Sequence, residues 1–111
     1  MNKTSAMRLV CNMEDISEAS VNRFLSMGCD LIIIRKKTKF YCYRNECPHM
    51  NLPLSIHSKG VLDKEQKHLV CAQHAAEFVI ENGLCVKGPC IGMKLEPVSI
   101  ELTDGNVLLK E

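Results

Sequence analysis

Tryptophan is absent from the sequence, and aromatic side chains of every kind are scarce. With three phenylalanines and two tyrosines in 111 residues, aliphatic and sulfur-containing side chains must fill most of the core. Long apolar runs are missing too. The longest aliphatic run, from Leu31 to Ile34, is far too short to cross a bilayer, so no association with a membrane is expected.

An excess of charge of either sign is also lacking. The chain carries 14 basic and 13 acidic residues, which gives a formal net charge of +1. It has no basic block, and its basic and aromatic residues do not interleave as they do on surfaces that bind nucleic acid. Nucleic acid is therefore not an expected partner.

A secretory signal is not visible, because the first residues hold no apolar segment followed by a cleavage motif. The seven cysteines are an odd number, whereas extracellular disulfide scaffolds usually pair an even number. Both features predict a reducing, cytoplasmic location. Some cysteines are then expected to bind a metal, while Cys11, Cys29 and Cys42 pack as small apolar groups.

Short apolar segments separated by turn residues make up most of the chain, and none shows the periodicity of a three-turn helix. We predict strands at 7–11, 21–25, 31–34, 40–43, 61–62, 67–70, 77–80, 84–86, 98–102 and 107–110, with turns at 27–30 and 35–39. Residues 1–111 are expected to form one domain with a loose tail at 1–6. The expected fold class is all-β, a sandwich or a barrel.

Two short boxes place a thiol next to an imidazole. The first is Cys47-Pro48-His49, and the second, after 21 intervening residues, is Cys71-Ala72-Gln73-His74. Two such pairs at ligand spacing, each after a predicted strand, indicate one metal centre bound by all four side chains. The other histidines, His57 and His68, have no partner at ligand spacing and are expected to be structural or exposed.

Two kinds of metal centre suit this donor set. Two cysteines and two histidines can hold a tetrahedral zinc ion, although zinc sites more often pair Cys with Cys and His with His. The alternative is a two-iron cluster in which both thiolates bind one iron and both imidazoles bind the other.

The boxes resemble those of Rieske ferredoxins. Residues 47–54 are similar to the family's C-x-H-x-G-x-x-L box, and residues 71–78 to its C-x-x-H-G-x-x-F box. Gly88-Pro89-Cys90 resembles the family's proline-containing third loop, and the resemblance extends over about residues 7–110. It implies a Rieske-like antiparallel β-sandwich whose tip, formed by two hairpin loops and the proline loop, holds one [2Fe-2S] cluster. Cys47 and Cys71 would bind one iron, and His49 and His74 the other.

Both family glycines are replaced, by Asn51 in the first box and by Ala75 in the second. Asparagine adopts positive φ more readily than other non-glycine residues, whereas alanine is costlier there. The span between the boxes is also longer than the family's usual span. The loops around Asn51 and Ala75 are therefore where we expect the geometry to depart from the family's.

The resemblance also implies a low reduction potential. Leu52 and the pair Ala72 and Gln73 stand where high-potential relatives have bridged cysteines, and Ala76 and Phe78 stand where they have hydroxyl groups. Without those hydrogen-bond donors, we expect a potential in the lower part of the Rieske range of roughly −150 to +300 mV, with little dependence on pH near neutrality.

The implied function is one-electron transfer without a catalytic site of its own. By resemblance, a flavin-dependent reductase would supply the electron, and an oxygenase or another acceptor would take it. Partners would dock weakly at a tip that carries the residues His49, Met50, Leu52, His74 and Pro89. Two alternatives are the small subunit of a larger redox enzyme such as nitrite reductase, and a structural zinc module. Cys85 and Cys90 are expected to be free, packed thiols rather than a disulfide.

Overall fold

A computed structural model describes residues 7–26, 28–48, 61–71 and 76–110. Within these ranges the chain forms ten β-strands and one short 3-10 turn, Met13–Asp15. The strands are β1 (Met7–Asn12), β2 (Ser20–Ser26), β3 (Cys29–Lys36), β4 (Lys39–Arg44), β5 (Val61–Leu62), β6 (His68–Val70), β7 (Glu77–Val79), β8 (Cys85–Lys87), β9 (Ile100–Thr103) and β10 (Asn106–Lys110). The prediction of an all-β chain is confirmed, and the predicted tail at 1–6 lies outside the described residues.

The strands form three antiparallel sheets. Their orders are β1-β10-β9, β2-β3-β4 and β5-β6-β7-β8. The first sheet joins strands from the two ends of the chain, since Met7 on β1 pairs with Lys110 on β10. In the described ranges no helix has the length and apolar character needed to cross a membrane.

Strand β3 is buried on both faces, which explains its unbroken aliphatic run. Leu31 and Ile33 belong to one hydrophobic core, while Ile32 and Ile34 belong to another. Alternate side chains of a strand point to opposite faces, so the sheet β2-β3-β4 separates the two cores. Each of these four aliphatic side chains is at most 1% exposed, and such burial stabilises a fold by roughly 1.5–3 kcal/mol per side chain.

The two cores divide the cysteines between them. Cys11 and Cys42 are buried in the core that also holds residues of β1 and β10, and Cys29 packs half-buried against it. The prediction that these three cysteines serve in packing is therefore confirmed. Four further cysteines lie in the other core, between the sheet β2-β3-β4 and the sheet β5-β6-β7-β8: Cys47, Cys71, Cys85 and Cys90.

Most predicted boundaries differ from the observed ones by a residue or two, and the turns at 27–30 and 35–39 and the start of the strand at 98–102 differ most. The turn predicted at 27–30 is shorter, because Cys29 and Asp30 already belong to β3 and pair with residues of β2. The basic tip predicted at 35–39 is also shorter, because Arg35 and Lys36 extend β3 and Lys39 begins β4. Residues 98 and 99 precede β9, and their backbone groups bond instead to Cys42 of β4 and to Lys110 of β10.

Candidate metal centre

Cys47 reaches the core through a short segment that Asp30 fixes. The backbone N–H of Asn45 donates to the carbonyl of Asp30 at 2.8 Å, and the amide Nδ2 of Asn45 lies 3.2 Å from Asp30 Oδ1. Arg23 holds the same carboxylate through Nε and Nη2, at 2.8 and 2.7 Å. Hydrogen bonding from Arg23, reinforced by Asn45 and by the positive charge of Arg23, lowers the pKa of Asp30. The segment after β4 is thereby positioned, and Cys47 is fully buried.

Cys71 lies where β6 ends and the second box begins. Its backbone N–H donates to the carbonyl of Ala76 at 2.8 Å. This bond holds together the first residue of the second box and the residue two positions after its histidine. Val70 and Glu77 pair directly across β6 and β7, so a hairpin carries this box, as expected. Cys71 is 1% exposed and belongs to the same core as Cys47.

The structure therefore places the two predicted cysteine ligands in the same core. The two predicted histidine ligands, His49 and His74, lie outside the described residues, and so do Asn51, Leu52, His57 and Ala75. Ala76 and Phe78 stand where high-potential relatives have hydroxyl groups. Both are fully buried in the core with Cys47 and Cys71.

The proline loop packs against the second box. Gly88 has a φ of +99°, and a Cβ at this position would come within 2.8 Å of the Cα of Ala76. Backbone hydrogen bonds close the loop, from Cys85 N–H to Met93 O at 2.8 Å and from Gly92 N–H to Cys85 O at 3.1 Å. The loop can approach Ala76 this closely because residue 88 is a glycine and has no Cβ.

Cys85 and Cys90 are free and buried, as expected. Their sulfur atoms lie 2.9 Å apart, with Cys90 as donor, and the Cys85 thiol donates to the carbonyl of Lys87 at 3.2 Å. Burial, followed by hydrogen bonds and charge from Cys85 and Cys47, raises the pKa of the Cys90 thiol to about 12. Cys90 therefore packs beside a predicted ligand, under the proline loop.

His68 has the structural role expected of it. Its Nδ1 lies 3.1 Å from Glu77 Oε1 and 3.6 Å from Asp63 Oδ2. Asp63 also accepts the backbone N–H groups of Lys67 and His68 through Oδ1, at 2.7 and 3.0 Å. These contacts stabilise the turn between β5 and β6, the hairpin whose second strand ends at Cys71.

The buried donor set fits a thiophilic metal. Two thiols from separate loops enter one apolar core, and thiolates prefer soft metal ions and iron–sulfur clusters as partners. A thiolate buried in apolar surroundings without a cation would be strongly destabilised, so metal binding suits these positions better than ionisation alone. Cys47 and Cys71 can thus supply the thiolate half of a two-iron cluster.

Comparison of the sequence with protein families points to the same kind of metal centre. The model of the Rieske [2Fe-2S] domain matches residues 6–100, most of the 111-residue chain. The chain therefore belongs to the Rieske [2Fe-2S] domain family, and a [2Fe-2S] cluster is the cofactor that this family implies. No curated protein sequence matches the chain.

Solved structures show the same fold. The ferredoxin of carbazole 1,9a-dioxygenase from Nocardioides aromaticivorans IC177 superposes with a TM-score of 0.79 at 18% sequence identity, over 95% of this chain and 97% of that one. A complex of reduced oxygenase and oxidized ferredoxin in carbazole 1,9a-dioxygenase gives a TM-score of 0.78 at 24% identity, over 95% and 93% of the two chains. The expectation of a Rieske-like fold is confirmed.

Proposed function

We propose that this protein is a one-electron carrier, a cytoplasmic Rieske ferredoxin formed by a single domain. Cys47 and Cys71 bind one iron of its [2Fe-2S] cluster, and His49 and His74 bind the other. The observation that carries this proposal is the burial of two thiols, from two separate loops, in one apolar core of a Rieske-family chain. The cluster supplies reversible one-electron chemistry, and the protein supplies burial and attachment.

A low potential follows from the residues around the thiols. Ala76 and Phe78 are fully buried beside Cys47 and Cys71, and neither side chain has a hydroxyl to donate. Hydrogen bonds to cluster ligands favour the reduced, more negative state. Their scarcity here supports a potential in the lower part of the Rieske range.

Three exposed apolar residues on and beside the proline loop suit transient docking. They are Val86, Ile91 and Met93, which are 40, 67 and 45% exposed. The same loop carries Cys90, which contacts Cys47, a proposed ligand of the cluster. Small interfaces of this kind release their partners readily, as a shuttle requires.

The proposed partners are a flavin-dependent reductase upstream and an oxygenase or another acceptor downstream. The fold match to ferredoxins of carbazole 1,9a-dioxygenase, one of them solved in complex with its oxygenase, supports the downstream assignment.

The test is metal analysis and spectroscopy of the purified protein. We expect two irons and two sulfides per chain and, after reduction, a Rieske-type electron paramagnetic resonance signal with a low average g value. A colourless protein that contains zinc and no sulfide would identify a structural zinc module. Purification only in a stable stoichiometric complex would identify the subunit of a larger redox enzyme.

Ligand variants complete the test. Cys47→Ser, His49→Ala, Cys71→Ser and His74→Ala should each lose most of the cluster. Cys42→Ser is the matched control, because Cys42 is also buried but lies in the other core. Full cluster content in any of the four variants would remove that residue from the ligand set.

A further inference from the structure

Beneath the proline loop, Cys90 contacts two other cysteines. Its sulfur lies 2.9 Å from the sulfur of Cys85, and its thiol is also within hydrogen-bond reach of Cys47. All three residues are at most 1% exposed. One of them, Cys47, is a proposed ligand of the cluster, and the other two are not.

The hydrogens of these thiols can be assigned from their partners. Each neutral thiol has one hydrogen to donate. Cys85 donates its hydrogen to the carbonyl of Lys87, at 3.2 Å. Cys90 is the donor in its contact with Cys85, so it carries a hydrogen that can point to either neighbouring sulfur.

Binding of the cluster changes the balance between these two acceptors. The sulfur of Cys47 then becomes an iron-bound thiolate, which carries negative charge and has no hydrogen of its own. An ionised acceptor forms a markedly stronger hydrogen bond than a neutral one. The hydrogen of Cys90 is therefore drawn to Cys47 and away from the neutral sulfur of Cys85.

The backbone keeps Cys90 in place for this contact. The N–H of Met93 donates to the carbonyl of Cys90 at 2.9 Å, and the bonds between Cys85 and the segment 92–93 close the loop on both sides. The approach of Gly88 to Ala76 fixes the same loop against the second box. The loop thus fixes the backbone of Cys90, and a single side-chain torsion separates that backbone from the thiol.

We propose that Cys90 is a positioning residue for electron transfer, whose thiol donates an S–H···S hydrogen bond to the ligand sulfur of Cys47. Because the added electron makes the cluster more negative, this bond strengthens on reduction and raises the potential. Cys90 thus partly replaces the donors absent at Ala76 and Phe78. The inference rests on the proposed function, since it requires the cluster to be bound.

The test is a redox titration of the cluster-loaded protein, followed by circular dichroism in the visible region and by electron paramagnetic resonance. Cys90→Ala removes the donor and should lower the potential. Cys90→Ser keeps a donor of similar size, and its hydroxyl is the stronger donor, so its potential should equal or exceed that of the wild type. Cys85→Ala, the matched control beside it, should leave the potential unchanged or slightly raised.

The outcomes separate a hydrogen bond from a packing effect. Equal lowering in Cys90→Ala and Cys90→Ser would overturn the proposal, because both variants alter packing but only one removes the donor. A lowering in Cys85→Ala as large as that in Cys90→Ala would overturn it too. If Cys90→Ala does not retain the cluster, the comparison of Cys90→Ser with the wild type decides, and a lowered potential in that variant overturns the proposal.

The same measurements distinguish this inference from the proposed function. A wild-type protein with zinc and no sulfide overturns both. A wild-type protein with a Rieske signal whose potential is the same in Cys90→Ala overturns the hydrogen bond alone.

Discussion

The phenolic hydroxyl of Tyr43 donates a hydrogen bond to the backbone carbonyl of Ile80, with 2.6 Å between the two oxygens. Tyr43 lies on β4 in the central sheet, and Ile80 follows β7 in the sheet that carries Cys71. Both residues are buried in the core that holds the proposed thiolate ligands. This bond therefore joins the two sheets from which Cys47 and Cys71 enter that core.

Tyr43→Phe should destabilise the folded protein by about 1–3 kcal/mol, because it leaves the buried carbonyl of Ile80 without its donor. The measurement is urea-induced unfolding of the cluster-loaded protein. Tyr41→Phe is the matched control, since no hydrogen bond of its hydroxyl occurs within the described ranges. Equal losses in the two variants would contradict the role given to Tyr43.

Stability should also fall between about pH 10 and 12 because of Tyr43. Burial raises the pKa of Tyr43 from 10.0 to about 12. In this interval the unfolded chain releases the phenolic proton while the folded chain keeps it, so the stability contributed below pH 10 is lost as the pH rises. Unfolding measured against pH should show a shallower decline in Tyr43→Phe than in the wild type. Parallel declines would exclude this contribution.

Gly88→Ala should be more damaging than Gly92→Ala. Both glycines have a positive φ, +99° and +93°, but a Cβ at Gly88 meets the Cα of Ala76 at 2.8 Å whereas one at Gly92 meets nothing within 4 Å. Backbone strain alone should cost about 1–3 kcal/mol in each variant. In Gly88→Ala the loop must also move away from the second box.

The two glycine variants are compared by urea unfolding and by iron and sulfide content. We expect Gly92→Ala to keep its cluster and Gly88→Ala to lose a substantial fraction. Equal cluster content would show that the contact of the proline loop with Ala76 is not needed for binding.

Asp30→Asn should destabilise the fold by about 1 kcal/mol near neutral pH, because it weakens a two-point ion pair with Arg23 that is partly exposed. The lowered pKa of Asp30 gives the sign of the pH dependence. The stabilisation is present above the unfolded-state pKa, near 4, and is lost as the pH falls through the folded-state pKa.

Unfolding of Asp30→Asn and of the wild type is measured from pH 7 downward, and the difference between them should shrink below about pH 4. Asp104→Asn is the control, because Asp104 is an exposed turn residue with a φ of 53° that asparagine tolerates. A constant difference across this range would contradict the role given to Arg23 and Asp30.

The parts of the fold that could be predicted are those determined by residues adjacent in the sequence. The run from Leu31 to Ile34 indicated a buried strand because four aliphatic residues in a row leave neither face for solvent. The hairpin turn at Asp104 and Gly105, between β9 and β10, has a composition that favours the positive φ observed at both positions. The two Cys–His boxes were recognisable because their spacing is itself the chemical signal.

Features that depend on distant residues could not be predicted in this way. The glycine at position 28 favours a turn that includes Asp30. In the structure Asp30 belongs to β3, and its carboxylate pairs with Arg23 on the neighbouring strand β2. The hydrogen bond from Tyr43 to Ile80 likewise has no signal in the sequence around either residue. Contact between Cys90 and Cys47 requires two loops to meet, and no spacing rule relates positions so far apart.

The pairing of β1 with β10 has a consequence for the newly made chain. Since Met7 pairs with Lys110, β1 waits for its neighbour until the residues between them have been synthesised. At roughly 5–20 residues per second this delay lasts several seconds or longer. By then residues 20–95, which contain the core around Cys47 and Cys71, have already been synthesised. The metal-binding half can therefore assemble first, and the sheet β1-β10-β9 closes over the opposite face of β2-β3-β4 afterwards.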